Sequence, residues 1–177
     1  MKTKLVLQNS IVTVLALILT IGIFTGCGKE MTQEEIDKQI DQYFQEGMDA
    51  VNQNDVDAAI KAFKKASKLG DVVSCYNLGI IYETEKEDYP EALKWYLKGA
   101  EKGHANSQFR AYCFYNYGPE LGKGLKQDSA EADKWFKKAL DQGQENAVKL
   151  QELKRKQEEN SREAEKFNSS DWIKDIL

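Results

Sequence analysis

Few side chains in this sequence could carry out chemistry. Histidine is the usual general base near neutral pH, and His104 is the only one in 177 residues. No Ser-His-Asp set, Cys-His pair or metal-spaced group of His, Cys, Asp and Glu assembles around it. We therefore assign no catalytic residue, no metal ligand and no cofactor. Acidic doublets such as Glu34-Glu35 and Glu158-Glu159 are adjacent in sequence. On a helix such neighbours point apart and cannot share a proton. The remaining reactive groups are three thiols, Cys27, Cys75 and Cys113. Nucleic acid is a poor partner, because 25 Lys and Arg stand against 29 Asp and Glu, a net charge of -4 with no basic block. Phosphate neutralisation supplies most of such binding.

Cys27 is set apart by what precedes it. Lys2 and Lys4 lead into an apolar run from Ile11 to Phe24, broken only by Thr13, Thr20 and Gly22. A spanning helix needs about 20 apolar residues, so this shorter run reads as the core of a signal peptide behind a basic start. Its end, Phe24-Thr25-Gly26-Cys27, resembles the lipobox of bacterial lipoproteins. There an apolar residue and two small ones precede the cysteine that receives the lipid; Phe24 stands where Leu is usual. The resemblance implies a signal peptide over 1–26 and a lipid-anchored tether over 27–32. The diacylglycerol and acyl groups on Cys27 would then bind the membrane. The alternatives are an uncleaved anchor from about Leu5 to Gly26 and simple secretion. Lipoprotein and anchor alike place the remainder outside the cytoplasm, in the cell envelope. Loss of 1–26 removes two lysines and no acid, so the lipid rather than a basic patch must hold the protein at the surface.

The rest of the chain repeats. Ala59-Ile-Lys-Ala-Phe63-Lys-Lys-Ala66 aligns with Ala92-Leu-Lys-Trp95-Tyr96-Leu-Lys-Gly99 and with Ala132-Asp-Lys-Trp135-Phe136-Lys-Lys-Ala139. Each segment reaches a glycine eleven residues after its first alanine: Gly70, Gly103 and Gly143. Upstream, Leu78-Gly79-Ile80-Ile81-Tyr82 has a degraded echo in Ala111-Tyr112-Cys113-Phe114-Tyr115. The periodicity is helical. Small residues (Gly47, Gly79, Ala59, Ala92, Ala132) let antiparallel helices approach, and Phe63, Tyr96 and Phe136 fill the space between neighbouring hairpins. The terminal glycines can end helices in the left-handed conformation. Thr32-Gln-Glu-Glu35 is a capping box, Pro90 suits a first turn, and Asp128 is a cap. The pattern predicts helices over 33–52, 56–69, 72–85, 90–102, 105–117 and 129–142, and a long one from about 145. Such hairpins cannot bury their apolar faces alone and must stack.

Gly70 to Tyr82, followed by Pro90-Glu-Ala92-Leu-Lys-Trp95-Tyr96, resembles a Sel-one-like repeat, a relative of the tetratricopeptide repeat. The third unit adds the loop signature Gly122-Lys-Gly124-Leu-Lys-Gln-Asp128. The resemblance covers about residues 40–147; Gly99 replaces a usual alanine and Tyr112 a usual glycine. It implies an all-α fold, a right-handed solenoid of about three stacked antiparallel helix pairs. The repeat domain would span 33–143, with a capping helix over 144–167 and a short amphipathic tail over 168–177. The tail's Trp172, Ile173, Ile176 and Leu177 either fold back onto the solenoid or dock into a partner. Cys75 and Cys113 lie 38 positions apart, out of step with a 33-residue repeat, and are expected as buried free thiols.

Solenoids of this kind bind ligands in the concave groove lined by their first helices. Positions one repeat apart form three columns: Phe44, Tyr76 and Phe109; Gln45, Asn77 and Arg110; Met48, Ile80 and Cys113. Two apolar columns flanking a polar one suit an extended peptide or a partner helix. The groove residues are thus Phe44, Met48, Tyr76, Asn77, Ile80, Phe109 and Arg110. The competing expectation is that the aromatic column only packs between helices. The implied function is a non-enzymatic protein–protein interaction scaffold with an unidentified protein or peptide partner. Alternatives are a surface or secreted factor contacting host or neighbouring-cell proteins, and a hydrolase or binder of cell-envelope fragments.

Overall fold

The computed structural model describes residues 31–121 and 125–168. The segment expected as a signal peptide, Cys27 and the tail beyond residue 168 lie outside the described residues. Among those described, every regular element is a helix: α1 (Gln33–Asn52), α2 (Val56–Lys68), α3 (Val72–Thr84), α4 (Tyr89–Glu101), α5 (Ala105–Leu121), α6 (Ser129–Asp141) and α7 (Glu145–Asn168). Successive pairs form three hairpins that stack as a solenoid, and α7 follows in the position of a first helix, with no second helix after it among the described residues. None of these helices is long and apolar enough to cross a membrane.

Local chemistry sets the boundaries. The carboxylates of Asp55, Asp71, Asp88 and Asp128 each accept a backbone N–H from the first turn of α2, α3, α4 and α6, at 2.8–3.1 Å. Each such cap stabilises by about 1 kcal/mol. Pro90 sits in the first turn of α4, as expected. Gly70, Gly103 and Gly143 have φ of 113°, 91° and 68°. After each, the next residue donates back across the turn: Asp71 to Ala66, His104 to Gly99 and Gln144 to Ala139, at 3.0–3.2 Å. Asn54, at φ 57°, plays the same part after α1, since asparagine tolerates the left-handed region better than most side chains.

α5 runs four residues beyond the expected end at 117, through Pro119. Proline has no N–H, so the carbonyl four residues earlier loses its helical partner. That carbonyl, on Tyr115, instead accepts the Asp128 N–H at 3.0 Å, and the Asn116 carbonyl accepts Gln127 Nε2 at 3.0 Å. The returning strand of the loop thus takes over the ladder. Gly118 lets it pass, because a Cβ there would lie 3.1 Å from the Lys126 carbonyl oxygen.

The core follows from close helix approach. Phe63 of α2 is fully buried over Gly47 of α1, where a Cβ would come within 2.6 Å of its ring. Tyr96 of α4 lies over Gly79 of α3 in the same way. Both rings therefore sit inside their own hairpins, and Tyr96 also reaches the next one through Phe114, at 5.5 Å between centroids. The third hairpin differs. Tyr112 occupies the glycine position, is buried, and its ring packs at 4.9 Å on Phe136, which is left half-buried. Cys75 is buried and Cys113 half-buried, both as free thiols. Burial pushes the Cys113 thiol up to about 11.

α4 and α6 share a surface device. Trp95 and Trp135 donate their indole N–H to Glu91 and Glu131 at 2.9 and 3.0 Å, and each glutamate also holds Lys94 or Lys134. Lys98 and Lys138 lie 4.7 and 4.8 Å from the two indole rings. The lysine side chains thus lie over both rings, of which Trp135 is buried and Trp95 half-buried.

The ring-on-glycine contact gives a direct test. In a helix, Gly→Ala ordinarily gains about 1 kcal/mol in propensity. At Gly79 the new methyl would collide with the Tyr96 ring, and overpacking of this kind costs about 1–3 kcal/mol. Gly79→Ala is expected to lower the urea-unfolding midpoint, and a midpoint equal to or above the parent's would disprove the tight contact.

Candidate functional site

The first helices α3 and α5 and the start of α7 flank an open cavity of about 500 Å³. Tyr76 of α3, Phe109 and Arg110 of α5, and Gln144 and Asn146 at the start of α7 line it, together with Asn106 one turn before Arg110. Three of the seven expected groove residues, Tyr76, Phe109 and Arg110, thus meet around one space. The other four do not reach it. Phe44 and Met48 pack on the Phe63 core of the first hairpin, Ile80 packs against Tyr96 and Phe114, and Asn77 is half-buried on α3. Cys27 lies outside the described residues. All three rings of the aromatic column pack on other rings, and only Tyr76 and Phe109 also line the cavity. Phe44, Tyr76 and Phe109 contact Phe63, Tyr96 and Tyr112 at 5.7–5.8 Å between centroids, yet each stays half-exposed.

Arg110 is held in place by the second hairpin. Its guanidinium lies 3.4 Å from Glu83 Oε1 and 5.9 Å from the centre of the Tyr96 ring. The other Glu83 oxygen accepts the Tyr96 hydroxyl at 2.6 Å. Burial, reinforced by that hydrogen bond, pushes the Tyr96 phenol far above its usual range. For Arg110 burial acts downward, but Glu83 and the Tyr96 and Tyr76 hydroxyls outweigh it, so the cation persists. Its side chain remains 38% exposed, enough to present a charge to the cavity.

Asn106, Gln144 and Asn146 complete the cavity without belonging to any column. Gln144 follows the turn glycine Gly143, as Asp71 follows Gly70 and His104 follows Gly103. All three begin a first helix: Asp71 caps α3, and Gln144 Oε1 accepts the Ala147 N–H at 2.8 Å. His104 Nδ1 lies 2.8 Å from Ser107 Oγ, and its ring stands edge-on to Tyr76 at 5.2 Å. That shared post-glycine position was the available signal. Among the described residues no group of three His, Cys, Asp or Glu side chains is arranged to hold a metal ion.

The repeat pattern and the hairpin geometry coincide with a known family. The model of the Sel1 repeat matches residues 42–71, 72–104 and 111–144, more than half of the chain. The chain belongs to the Sel1 repeat family. Its fold is similar to the crystal structure of a Sel1 repeat protein from Oxalobacter formigenes, with a TM-score of 0.56 and 26% identity over 67% of this chain and 92% of that one. A protective antigen of uropathogenic Escherichia coli strains, which displays an SLR fold, overlaps 51% of this chain and 19% of its own with 26% identity and a TM-score of 0.47. An F-box protein of Arabidopsis thaliana is 29% identical over 103 residues, 50% of this chain. This chain spans only 29% of the length of that relative.

His104 couples this region of the Sel1 array to pH. Burial lowers its pKa from 6.5, and Asp71 opposes that only in part. Below about pH 6.5 the unfolded chain takes up a proton that folded His104 resists. Stability from this residue is therefore constant above that pH and falls as the pH drops toward the folded value. The urea midpoint is expected to fall between about pH 7 and pH 5.5, the range in which histidine titrates. His104→Gln should reduce the fall, and equal slopes in parent and variant would exclude the effect.

Proposed function

We propose that this Sel1 repeat protein is a non-enzymatic interaction scaffold, carried on the outer face of a membrane by a lipidated Cys27. Its partner is an extended peptide segment of another protein, received in the concave groove. Sel1 repeat proteins are generally protein-interaction scaffolds. The observation that best supports a binding role for this surface is the convergence of Tyr76, Phe109 and Arg110 on one open cavity between first helices. Aromatic and arginine side chains with apolar bodies and polar ends are those that most often carry binding energy at interfaces. Stacked hairpins hold them in position before binding, so little ordering cost falls on the scaffold.

The membrane anchor rests on the sequence. The apolar run and Phe24-Thr25-Gly26-Cys27 support it, and the acidic balance of the remaining chain leaves the lipid as the means of attachment. Cys27→Ala is expected to yield an unprocessed, unlipidated precursor. A processed Cys27→Ala protein released from the membrane would instead indicate simple secretion through another cleavage site. Size and membrane fractionation of the variant separate these results, and the parent, unlike Cys27→Ala, should take up a fatty-acid analogue; an unlabelled parent would count against the lipid anchor.

A photoreactive residue in place of Tyr76, activated in living cells, tests the groove. It should yield a discrete crosslinked protein species that the same group at exposed Lys137 on α6 does not yield. No species specific to position 76 would count decisively against a protein partner in the groove.

A further inference from the structure

We propose that the cavity between Tyr76 and Phe109 is a carboxylate-binding subsite. It would take an aspartate or glutamate side chain of the partner segment, with an apolar neighbour of that residue on the two rings. The inference rests on the groove reading above and adds the chemistry of the occupant. Asn106 and Arg110 are four residues apart on α5, so they project from the same face. The Asn106 amide oxygen accepts Gln144 Nε2 at 3.3 Å, and the Gln144 oxygen accepts the Ala147 N–H at 2.8 Å. Both amide oxygens thereby accept from within the chain, the Asn106 one at an exposed contact, and what the two amides offer a ligand is mainly N–H.

The nearby acids are also engaged. Glu83 uses one oxygen for Tyr96 and the other for Arg110. Glu145, on the cavity rim, is drawn to Lys149 at 2.6 Å. Arg110 itself is only loosely held by Glu83: 3.4 Å exceeds the about 2.7–2.9 Å of a strong charge-assisted bond. The planar fork is not closed on Glu83 in the two-point manner, and a second carboxylate can approach it. Arg110 offers a carboxylate a charge that its amide isostere cannot answer, and only one end of that amide can accept from the Asn106 and Gln144 N–H groups.

Saturation-transfer NMR on the full-length lipidated chain in detergent, with empty detergent as the blank, tests this. The probes are acetyl-Leu-Glu-Leu-amide and acetyl-Leu-Gln-Leu-amide. The glutamate peptide is expected to bind about tenfold more tightly, the effect of one charge-assisted hydrogen bond. Asn106→Asp keeps the oxygen that Gln144 uses and adds a negative charge to the cavity; it should erase the preference. Arg110→Gln should do the same, and circular dichroism confirms that each variant is folded. Equal binding of the two peptides, binding of neither, or a preference that survives Asn106→Asp would each overturn the carboxylate subsite. Crosslinking from position 76 reports on the groove separately. Discrete crosslinks with equal peptide binding would leave the groove standing and remove only its acidic occupant.

Discussion

The distance between the two helices of a hairpin is the constraint on which the rest of this structure depends. At Gly47 and Gly79 the partner helix carries an aromatic ring where any Cβ would collide. The ring fills the hairpin, and the missing side chain brings the backbones together. In the second hairpin this contact also fixes a polar chain. Tyr96, seated on Gly79, directs its hydroxyl to Glu83, and Glu83 in turn holds Arg110 of the next hairpin. A glycine in the core thereby determines where a cation stands in the groove. Packing and site geometry share one cause.

The third hairpin shows what happens when that constraint is lifted. Tyr112 supplies its own ring in the glycine position, so Phe136 cannot enter and rests on Tyr112 instead, beneath Lys154 at 4.9 Å. α5 is also longer than the matching α1 and α3 positions would require. It continues through Pro119 because a loop segment satisfies the Tyr115 carbonyl that proline releases. The repeat is thus regular where a ring meets a glycine and irregular where it does not.

Much of this was legible in the sequence. The spacing of alanines, aromatics and terminal glycines located all seven helices and their pairing, because each depends on local periodicity and a local turn. The columns brought Tyr76, Phe109 and Arg110 to one place for the same reason. Phe44, Met48, Asn77 and Ile80 were assigned by the same rule, but column position says nothing of how far along the groove a cavity opens. Asn106, Gln144 and Glu83 were hidden because their roles depend on side-chain contacts across 27 to 38 residues. The full length of α5 was hidden too, since a proline ordinarily ends a helix and its rescue comes from the Asp128 N–H beyond the loop.

The charge pattern bears on what such a groove can select. The chain is acidic as a whole, and α1 carries six acids against one lysine. Within the three hairpins the lysines are concentrated on the second helices, where several lie against tryptophan or tyrosine rings at 4.6–5.8 Å or pair with acids. Long lysine stems on an exposed face must lose much rotamer freedom to hold a ligand. Arg110 has given up part of that freedom on folding, between Tyr96 and Glu83. Its charge is also less screened, because the cavity walls replace part of the water around it. A single pre-positioned cation therefore discriminates better than a larger number of mobile ones. In this Sel1 array it stands on a first helix, in the groove, while the more numerous lysines serve to cover rings on the second helices.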